Sequence, residues 1–234
     1  MNPHETLVFL FDVDNTLLDN DRLKRDLAER LQNLLGPERA RIFWEIYEVV
    51  RGEEEYVDLP ETVRRWSTRA ADPETGAELD ALLDNWNFRA YLYPDALEAI
   101  SHLWTLGTVA ILSDGDTVFQ PCKILASGLQ DAVHGNVLIY VHKEEELQSV
   151  FAAFPADQYV MIDDKPRILA ALERESPTRF TTVLVLQGTY GVEHEFTPEP
   201  DYVIEHIGDL ISFSRSDFLS TRREPDSASD RYQP

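Results

Sequence analysis

The chain has almost no cysteine and no long hydrophobic run. Its single cysteine, Cys122, cannot form an internal disulfide, which is typical of a protein from a reducing compartment. Cys122 falls within a helical pattern, where we expect a small buried side chain and not a nucleophile. No segment approaches the roughly 20 apolar residues of a membrane span, and residues 1–6 lack the basic and apolar regions of a signal peptide. We therefore expect a cytoplasmic protein without a membrane partner.

Positive charge is also scarce. Lysine and arginine together number 21 against 43 aspartates and glutamates, so the formal net charge is −22. Nucleic acids and anionic membranes both require a cationic surface, and this balance argues against either as a partner. An anionic substrate would need lysine or a metal cation gathered at its binding site. The lysines that could supply this charge are few: Lys24, Lys123, Lys143 and Lys165.

Short apolar runs alternate with helical patterns from residue 92 onwards, and a further apolar run lies near the start of the chain. The predicted strands are residues 7–11, 108–112, 137–141, 159–162, 182–186 and 202–204. The predicted helices among them are residues 95–104, 117–127, 144–154 and 166–175, with a last short one at 207–213. Apolar strands that alternate with helices of this length predict the α/β class with a doubly wound parallel sheet.

One long helical region interrupts this alternation after the first strand. Leu23, Leu27 and Leu31 repeat with the helical period, and the pair Asp72-Pro73 is typical of a helix start. No buried strand is recognisable between the first strand and residue 92. We predict an α/β core of residues 1–18 and 92–213, an inserted helical bundle of residues 19–91, and a polar tail of residues 214–234 that packs poorly.

Acidic and polar residues follow several of the predicted strands. Because the carboxyl ends of parallel strands lie along one edge of a sheet, these side chains are predicted to meet there. Neighbouring carboxylates repel one another unless a cation or a proton lies between them. Mg²⁺ is the hard cation that a few carboxylates hold together with a phosphate. The candidate site residues are Asp12, Asp14, Ser113, Lys143, Asp163 and Asp164.

Four segments of the chain, in order, resemble the motifs of the haloacid dehalogenase-like (HAD) superfamily, most of whose members are phosphatases. Residues 12–16 (DVDNT) are similar to the first motif, residues 111–115 (ILSDG) to the second, Lys143 to the third and residues 161–164 (MIDD) to the fourth. The resemblance extends from about residue 7 to residue 188. It implies that the helical insertion is a cap domain, which closes over the site and chooses the substrate.

The resemblance also implies the hydrolysis of a small phosphorylated metabolite by covalent catalysis. Asp12 would be the nucleophile that forms an aspartyl-phosphate, and Asp14 would be the general acid and base. Ser113 and Lys143 would hold the phosphoryl oxygens, with Lys165 as the alternative to Lys143.

The cofactor that the resemblance implies is Mg²⁺. Asp12, the backbone carbonyl of Asp14, and Asp164 would hold the ion. Asp163 would either bind the ion directly or contact the ligands without binding the ion. A metal held in this way would also offset the negative charge of a protein that has to bind a phosphate.

Three other functions use the same fold. A phosphomutase shares every motif and stays open as an alternative. A haloacid dehalogenase has no need for a proton donor two residues after its nucleophile, so Asp14 argues against that activity. A binding or regulatory protein without turnover would have no need to retain Asp12, Asp14, Ser113 and the acidic pair.

Overall fold

A single six-stranded sheet forms the centre of the protein. The computed structural model describes residues 5–54, 58–115, 119–190 and 197–220. The strands are β1 (Leu7–Phe11), β2 (Thr108–Asp114), β3 (Val137–Tyr140), β4 (Gln158–Asp163), β5 (Phe180–Val185) and β6 (Tyr202–Ile204). They pair in parallel in the order β3-β2-β1-β4-β5-β6, so the winding reverses between β1 and β4. The predicted doubly wound parallel sheet is confirmed.

Helices connect the strands and fill the region between β1 and β2. The helices before β2 are α1 (Asn20–Leu35), α2 (Pro37–Glu54), α3 (Leu59–Ala70), α4 (Pro73–Asp84) and α5 (Ala96–Trp104). The later ones are α6 (Phe119–Ser127), α7 (Leu129–Ala132), α8 (Leu147–Ala153), α9 (Pro166–Glu175) and α10 (Arg215–Ser220). Short 3₁₀ turns span Phe88–Tyr91, Lys143–Glu145 and Ile207–Ser212. None of the helices described is both long and apolar enough to span a bilayer.

The middle residues of the central strands are apolar because both faces of the sheet are covered. In β1, Phe9 and Phe11 belong to the buried cluster on one face, whereas Val8 and Leu10 belong to the cluster on the other. This alternation follows the two-residue repeat of a strand. Every residue of β1 is buried, as is usual for the middle strand of a parallel sheet.

The helices α1 to α4 form the predicted insertion between β1 and β2. Three aspartates begin these helices: the side chains of Asp19, Asp58 and Asp72 each accept a hydrogen bond from the backbone amide three residues further on. Successive helices pack on one another, α1 on α2, α2 on α3 and α3 on α4. Their buried apolar side chains are continuous with the cluster on one face of the sheet.

Several predicted boundaries shift in the structure. The helix predicted at 144–154 begins at Leu147, because residues 143–145 form a 3₁₀ turn first. The segment predicted as a short helix at 207–213 is a 3₁₀ turn. The start of the helix predicted at 117–127 lies outside the described residues, and α6 is described from Phe119.

The prediction of a poorly packed tail from residue 214 is wrong for its first part. Residues 215–220 form α10, and Phe218 on this helix is fully buried. The ring of Phe218 meets Phe9 of β1 edge to face, with 5.0 Å between the ring centroids, and Thr181 donates a hydrogen bond to its carbonyl. Two buried apolar side chains, Phe218 and Leu219, therefore anchor a segment whose other residues are polar. The rest of the predicted tail lies outside the described residues.

Candidate active site

The candidate site lies at the carboxyl ends of β1, β2 and β4. Asp12 follows β1, and its backbone amide donates to the carbonyl of Ile162 in β4, at 2.9 Å. Asp163 is the last residue of β4, and Ser113 is the penultimate residue of β2. Because β1 lies between β2 and β4, Asp12 is flanked by the other two. These side chains are buried, so the structure brings together the residues that the strand ends predicted.

Three buried carboxylates form the centre of the site. One oxygen from each of Asp12, Asp163 and Asp164 lies within 4.8 Å of the others. Both oxygens of Asp164 and Oδ2 of Asp12 have no hydrogen-bond partner among the described residues. Buried polar atoms without partners are costly and uncommon. A hard divalent cation that prefers oxygen ligands would satisfy them, and the cluster therefore fits Mg²⁺.

Burial and mutual repulsion set the charge states of this cluster. Burial raises the pKa of Asp164 to about 9, with further contributions from the charges of Asp12 and Asp163. Burial likewise raises the pKa of Asp163 to about 6, against the opposing charge of Lys143. Burial also acts on Asp12, but the charges of Lys143 and Lys165 outweigh it and hold the pKa of Asp12 below its usual value. Of the three carboxylates, Asp12 is therefore the one whose ionised form the surroundings favour.

Lys143 contacts Asp12 directly. Its Nζ lies 2.5 Å from Oδ1 of Asp12 and 2.7 Å from Oδ2 of Asp163, and it also donates to the carbonyl of Leu112 at 3.3 Å. The side chain is fully buried. Burial alone would lower the pKa of Lys143, but the charges of Asp12 and Asp163 raise it above the usual value. The 3₁₀ turn that replaces the predicted helix start places this ammonium between the two carboxylates.

Lys165 reaches the same region but contacts a different carboxylate. Its Nζ lies 3.3 Å from Oδ2 of Asp114, and its backbone amide donates to Oδ1 of Asp163 at 2.8 Å. The other oxygen of Asp114 accepts from the backbone amide of Lys143 at 3.2 Å. The structure therefore brings both candidate lysines to the strand ends and places only the ammonium of Lys143 against Asp12.

Ser113 has a partner that the sequence did not reveal. Its Oγ accepts a hydrogen bond from Nε2 of Gln120 at 2.9 Å and donates to the carbonyl of Asp114 at 3.2 Å. Gln120 is buried on α6, only 3% exposed. A single glutamine in a helical pattern carries no signal of such a contact, and only the packing of α6 against β2 could disclose it.

Asp14 has an unpredicted partner as well. The Nζ of Lys123, on α6, lies 2.5 Å from Oδ1 of Asp14, and Lys123 is only 3% exposed. The expectation of a buried Cys122 is wrong, because α6 turns Lys123 inward and leaves Cys122 exposed. The carboxylate of Asp14 offsets the cost of burying the ammonium. The scarcity of lysine in this chain was the one signal that could have drawn attention to Lys123.

A cavity of about 190 Å³ opens beside Asp14, between the helical insertion and the sheet. Lys24 and Lys123 both line this cavity. With Lys143 and Lys165 at the strand ends, every lysine of the chain lies at the candidate site or the cavity beside it. The charge of the lysines is therefore gathered where an anionic substrate would need it in an acidic protein.

Comparisons with known proteins agree with this geometry. Residues 6–174 match the family of haloacid dehalogenase-like hydrolases. A haloacid dehalogenase-like hydrolase from Burkholderia xenovorans LB400 is 42% identical, with a TM-score of 0.81, over 90% of this chain and 99% of that one. No curated protein sequence matches the chain.

Two more distant structures share the fold. One is the HAD hydrolase YfnB from Bacillus subtilis, bound to magnesium. It is 19% identical with a TM-score of 0.56, and the match covers 88% of this chain and 97% of that one. The other is the L-2-haloacid dehalogenase from Xanthobacter autotrophicus, with chloropropionic acid covalently bound. It is 16% identical with a TM-score of 0.56, and the match covers 87% of this chain and 96% of that one. The family match and the close relative from Burkholderia show that the chain belongs to the haloacid dehalogenase-like hydrolases and is a hydrolytic enzyme.

Proposed function

We propose that this hydrolase is a Mg²⁺-dependent phosphatase that acts on a small phosphate monoester through an aspartyl-phosphate on Asp12. The observation that carries this proposal is the buried group of Asp12, Asp163 and Asp164, in which both oxygens of Asp164 lack a hydrogen-bond partner among the described residues. A phosphatase needs such ligands for its cation. A dehalogenase does not, and three buried carboxylates would repel its anionic substrate.

Asp12 and Asp14 share the covalent steps. A carboxylate oxygen of Asp12 attacks phosphorus while the bond from phosphorus to the alcohol oxygen breaks, and Asp14 gives that oxygen its proton. Water then attacks the phosphorus of the aspartyl-phosphate and gives its proton to Asp14. Inorganic phosphate leaves, and both aspartates return to their starting states. The contact between Nζ of Lys123 and Oδ1 of Asp14, at 2.5 Å, fixes the position of the side chain that transfers this proton.

The other site residues hold the phosphoryl group and the metal. Mg²⁺ would neutralise charge on the phosphoryl oxygens, and Asp12, Asp163, Asp164 and the backbone carbonyl of Asp14 would hold it. The ammonium of Lys143, 2.5 Å from Asp12, is placed to contact a phosphoryl oxygen at the nucleophile. The hydroxyl of Ser113 would be the second donor for these oxygens, once its hydrogen turns from the carbonyl of Asp114 to the phosphoryl group.

The helical insertion completes the proposed enzyme. Residues 19–91 act as a cap over a core of residues 1–18 and 92–213, and the cavity beside Asp14 lies between the two. Closure of the cap would exclude bulk water from the phosphorylated Asp12. The substrate is a small phosphorylated metabolite of the cytoplasm.

The test is hydrolysis of p-nitrophenyl phosphate with and without metal. We expect activity with Mg²⁺, loss in EDTA and recovery when Mg²⁺ is restored. Asp12→Asn should lower kcat by on the order of 10³-fold or more, because it removes the nucleophile. Asp131→Asn, the same change at an exposed position, should leave kcat unaltered. Full activity in EDTA, or Asp12→Asn within tenfold of wild type, would contradict the proposal. Halide release from 2-chloropropionate without phosphatase activity would assign a dehalogenase instead.

A further inference from the structure

The cavity beside Asp14 has a defined relation to the chemistry. Asp14 lines it, together with residues of α1, α2 and α6. In the proposed function, Asp14 protonates the oxygen that leaves with the alcohol. The rest of that alcohol, bonded to this oxygen, therefore extends from Asp14 into the cavity. This inference rests on the proposed function and concerns the class of alcohol that the site accepts.

The walls of the cavity are mostly apolar and come from three helices. Leu23 and Leu27 lie one turn apart on the same side of α1, and both are buried. Trp44 and Tyr47 of α2 meet edge to face, with 5.1 Å between their ring centroids. Phe119 of α6 adds a further aromatic side chain to the lining. These side chains surround the alcohol with aliphatic and aromatic carbon.

Most polar groups around the cavity already have partners. Lys123 is paired with Asp14, Gln120 donates to Ser113, and Asp114 is paired with Lys165.

Two polar side chains of α1, Asn20 and Lys24, also line the cavity. They suffice for one polar substituent and not for the hydroxyls around a sugar ring. Buried hydroxyls that lose water without gaining a partner are costly, so a polyol is disfavoured here.

The size of the cavity limits the alcohol further. Its volume is about 190 Å³, whereas an apolar cavity of about 150 Å³ holds benzene. We propose that the preferred substrates are phosphate monoesters whose alcohol or phenol has a compact apolar body, about the size of one six-membered ring. Sugar phosphates have too many hydroxyls for these walls, and the nucleoside of a nucleotide would extend beyond this volume.

A matched pair of substrates tests this preference. Cyclohexylmethyl phosphate and glucose 6-phosphate both link a six-membered ring to phosphate through a primary carbon, and they differ chiefly in hydroxyl groups. With Mg²⁺ present, we expect kcat/KM to be at least about 100-fold higher for cyclohexylmethyl phosphate, since even one hydroxyl in an apolar pocket is discriminated by about that factor. Acetyl phosphate serves as the reference, because its leaving group is too small to fill the cavity.

Variants test whether this cavity is the source of the preference. Trp44→Ala should lower the ratio of kcat/KM for cyclohexylmethyl phosphate to that for acetyl phosphate by about tenfold or more, a loss typical of removed apolar contacts. Trp104→Ala, a similarly half-buried tryptophan on α5 away from the cavity, should leave the ratio unchanged. An unchanged ratio in Trp44→Ala would overturn the assignment of the cavity.

The remaining outcomes separate this inference from the proposed function. If acetyl phosphate is hydrolysed and kcat/KM for glucose 6-phosphate equals or exceeds that for cyclohexylmethyl phosphate, the inference is wrong. The proposed phosphatase activity would then still stand. Failure to hydrolyse these three compounds and p-nitrophenyl phosphate in the presence of Mg²⁺ would overturn both.

Discussion

At the scale of single residues, the distribution of lysines over carboxylates organises the site. Lys143 is paired with Asp12, Lys123 with Asp14, and Lys165 with Asp114. Each of the proposed catalytic aspartates therefore has its own cation. The net charge of −22 means that the long-range field of the chain does not attract an anionic substrate. The lysines of these pairs supply positive charge locally, at the site itself.

We predict different effects on kcat when each of the two lysines nearest the acidic cluster is replaced. Lys143→Ala, measured with saturating Mg²⁺, should lower kcat on the order of 10²-fold or more, because it removes a buried charge from the phosphoryl site. Lys165→Ala should lower kcat by less than about tenfold, since its ammonium contacts Asp114 and not Asp12. Far-UV circular dichroism checks that both variants fold. The reverse ranking would assign the phosphate contact to Lys165.

At the scale of elements, two neighbouring segments of the chain join the helical insertion to the sheet. Leu18 and Leu92 form an antiparallel bridge, and the amide of Tyr93 donates to Leu17 at 3.0 Å. Asp21, at the start of α1, accepts from the amide and hydroxyl of Thr189, at 3.0 and 2.8 Å. A movement of the insertion against the sheet would have to act on this junction, and α1 would carry a wall of the cavity with it.

Hydrogen exchange at this junction tests whether the insertion closes. Beryllofluoride with Mg²⁺ mimics the phosphorylated aspartate, and we expect it to slow amide exchange in residues 17–20 and 88–93, because a closed cap opens less often. The amides of α10, whose Arg215 donates to the carbonyls of Glu5 and Leu106 ahead of β1 and β2 at the opposite ends of the strands, provide the reference within the same protein. Equal exchange at the junction with and without the tightly bound analogue would count against closure.

At the scale of the whole molecule, stability is linked to the charge of the acidic cluster. The pKa of Asp164 rises from 3.8 to about 9 on folding because the side chain is buried beside two other carboxylates. The folded protein therefore binds this proton more tightly than the unfolded chain does. The resulting stabilisation is complete below pH 3.8 and is lost as the pH rises towards 9.

Mg²⁺ should replace that proton, so its effect on stability should increase with pH. We expect Mg²⁺ to raise Tm more at pH 8.5 than at pH 6, because fewer protons compete for the ligands. At a hundredfold excess over Kd, binding adds about 2.7 kcal/mol to the free energy of unfolding. Thermal melts with and without Mg²⁺ provide the measurement, and Asp164→Asn should abolish most of the shift. An equal shift at both pH values would contradict this account.

The amino-acid sequence by itself determined the parallel sheet and the edge at which the site lies. Apolar strands that end in Asp12, Ser113 and Asp163 are local patterns, and parallel pairing brings strand ends together without further information. The start of the helical insertion was equally local, since aspartate caps and the leucine period are visible within a few residues.

Only the tertiary structure decided which side chains complete the site. Lys123 and Asp14 are 109 positions apart, and their contact depends on how α6 is rotated about its axis. The same rotation exposes Cys122 and places Gln120 against Ser113. The burial of Phe218 depends likewise on the docking of α10 on β1. A short helix with mixed residues has no strong periodicity, so its orientation follows from the partners that it finds in the folded protein.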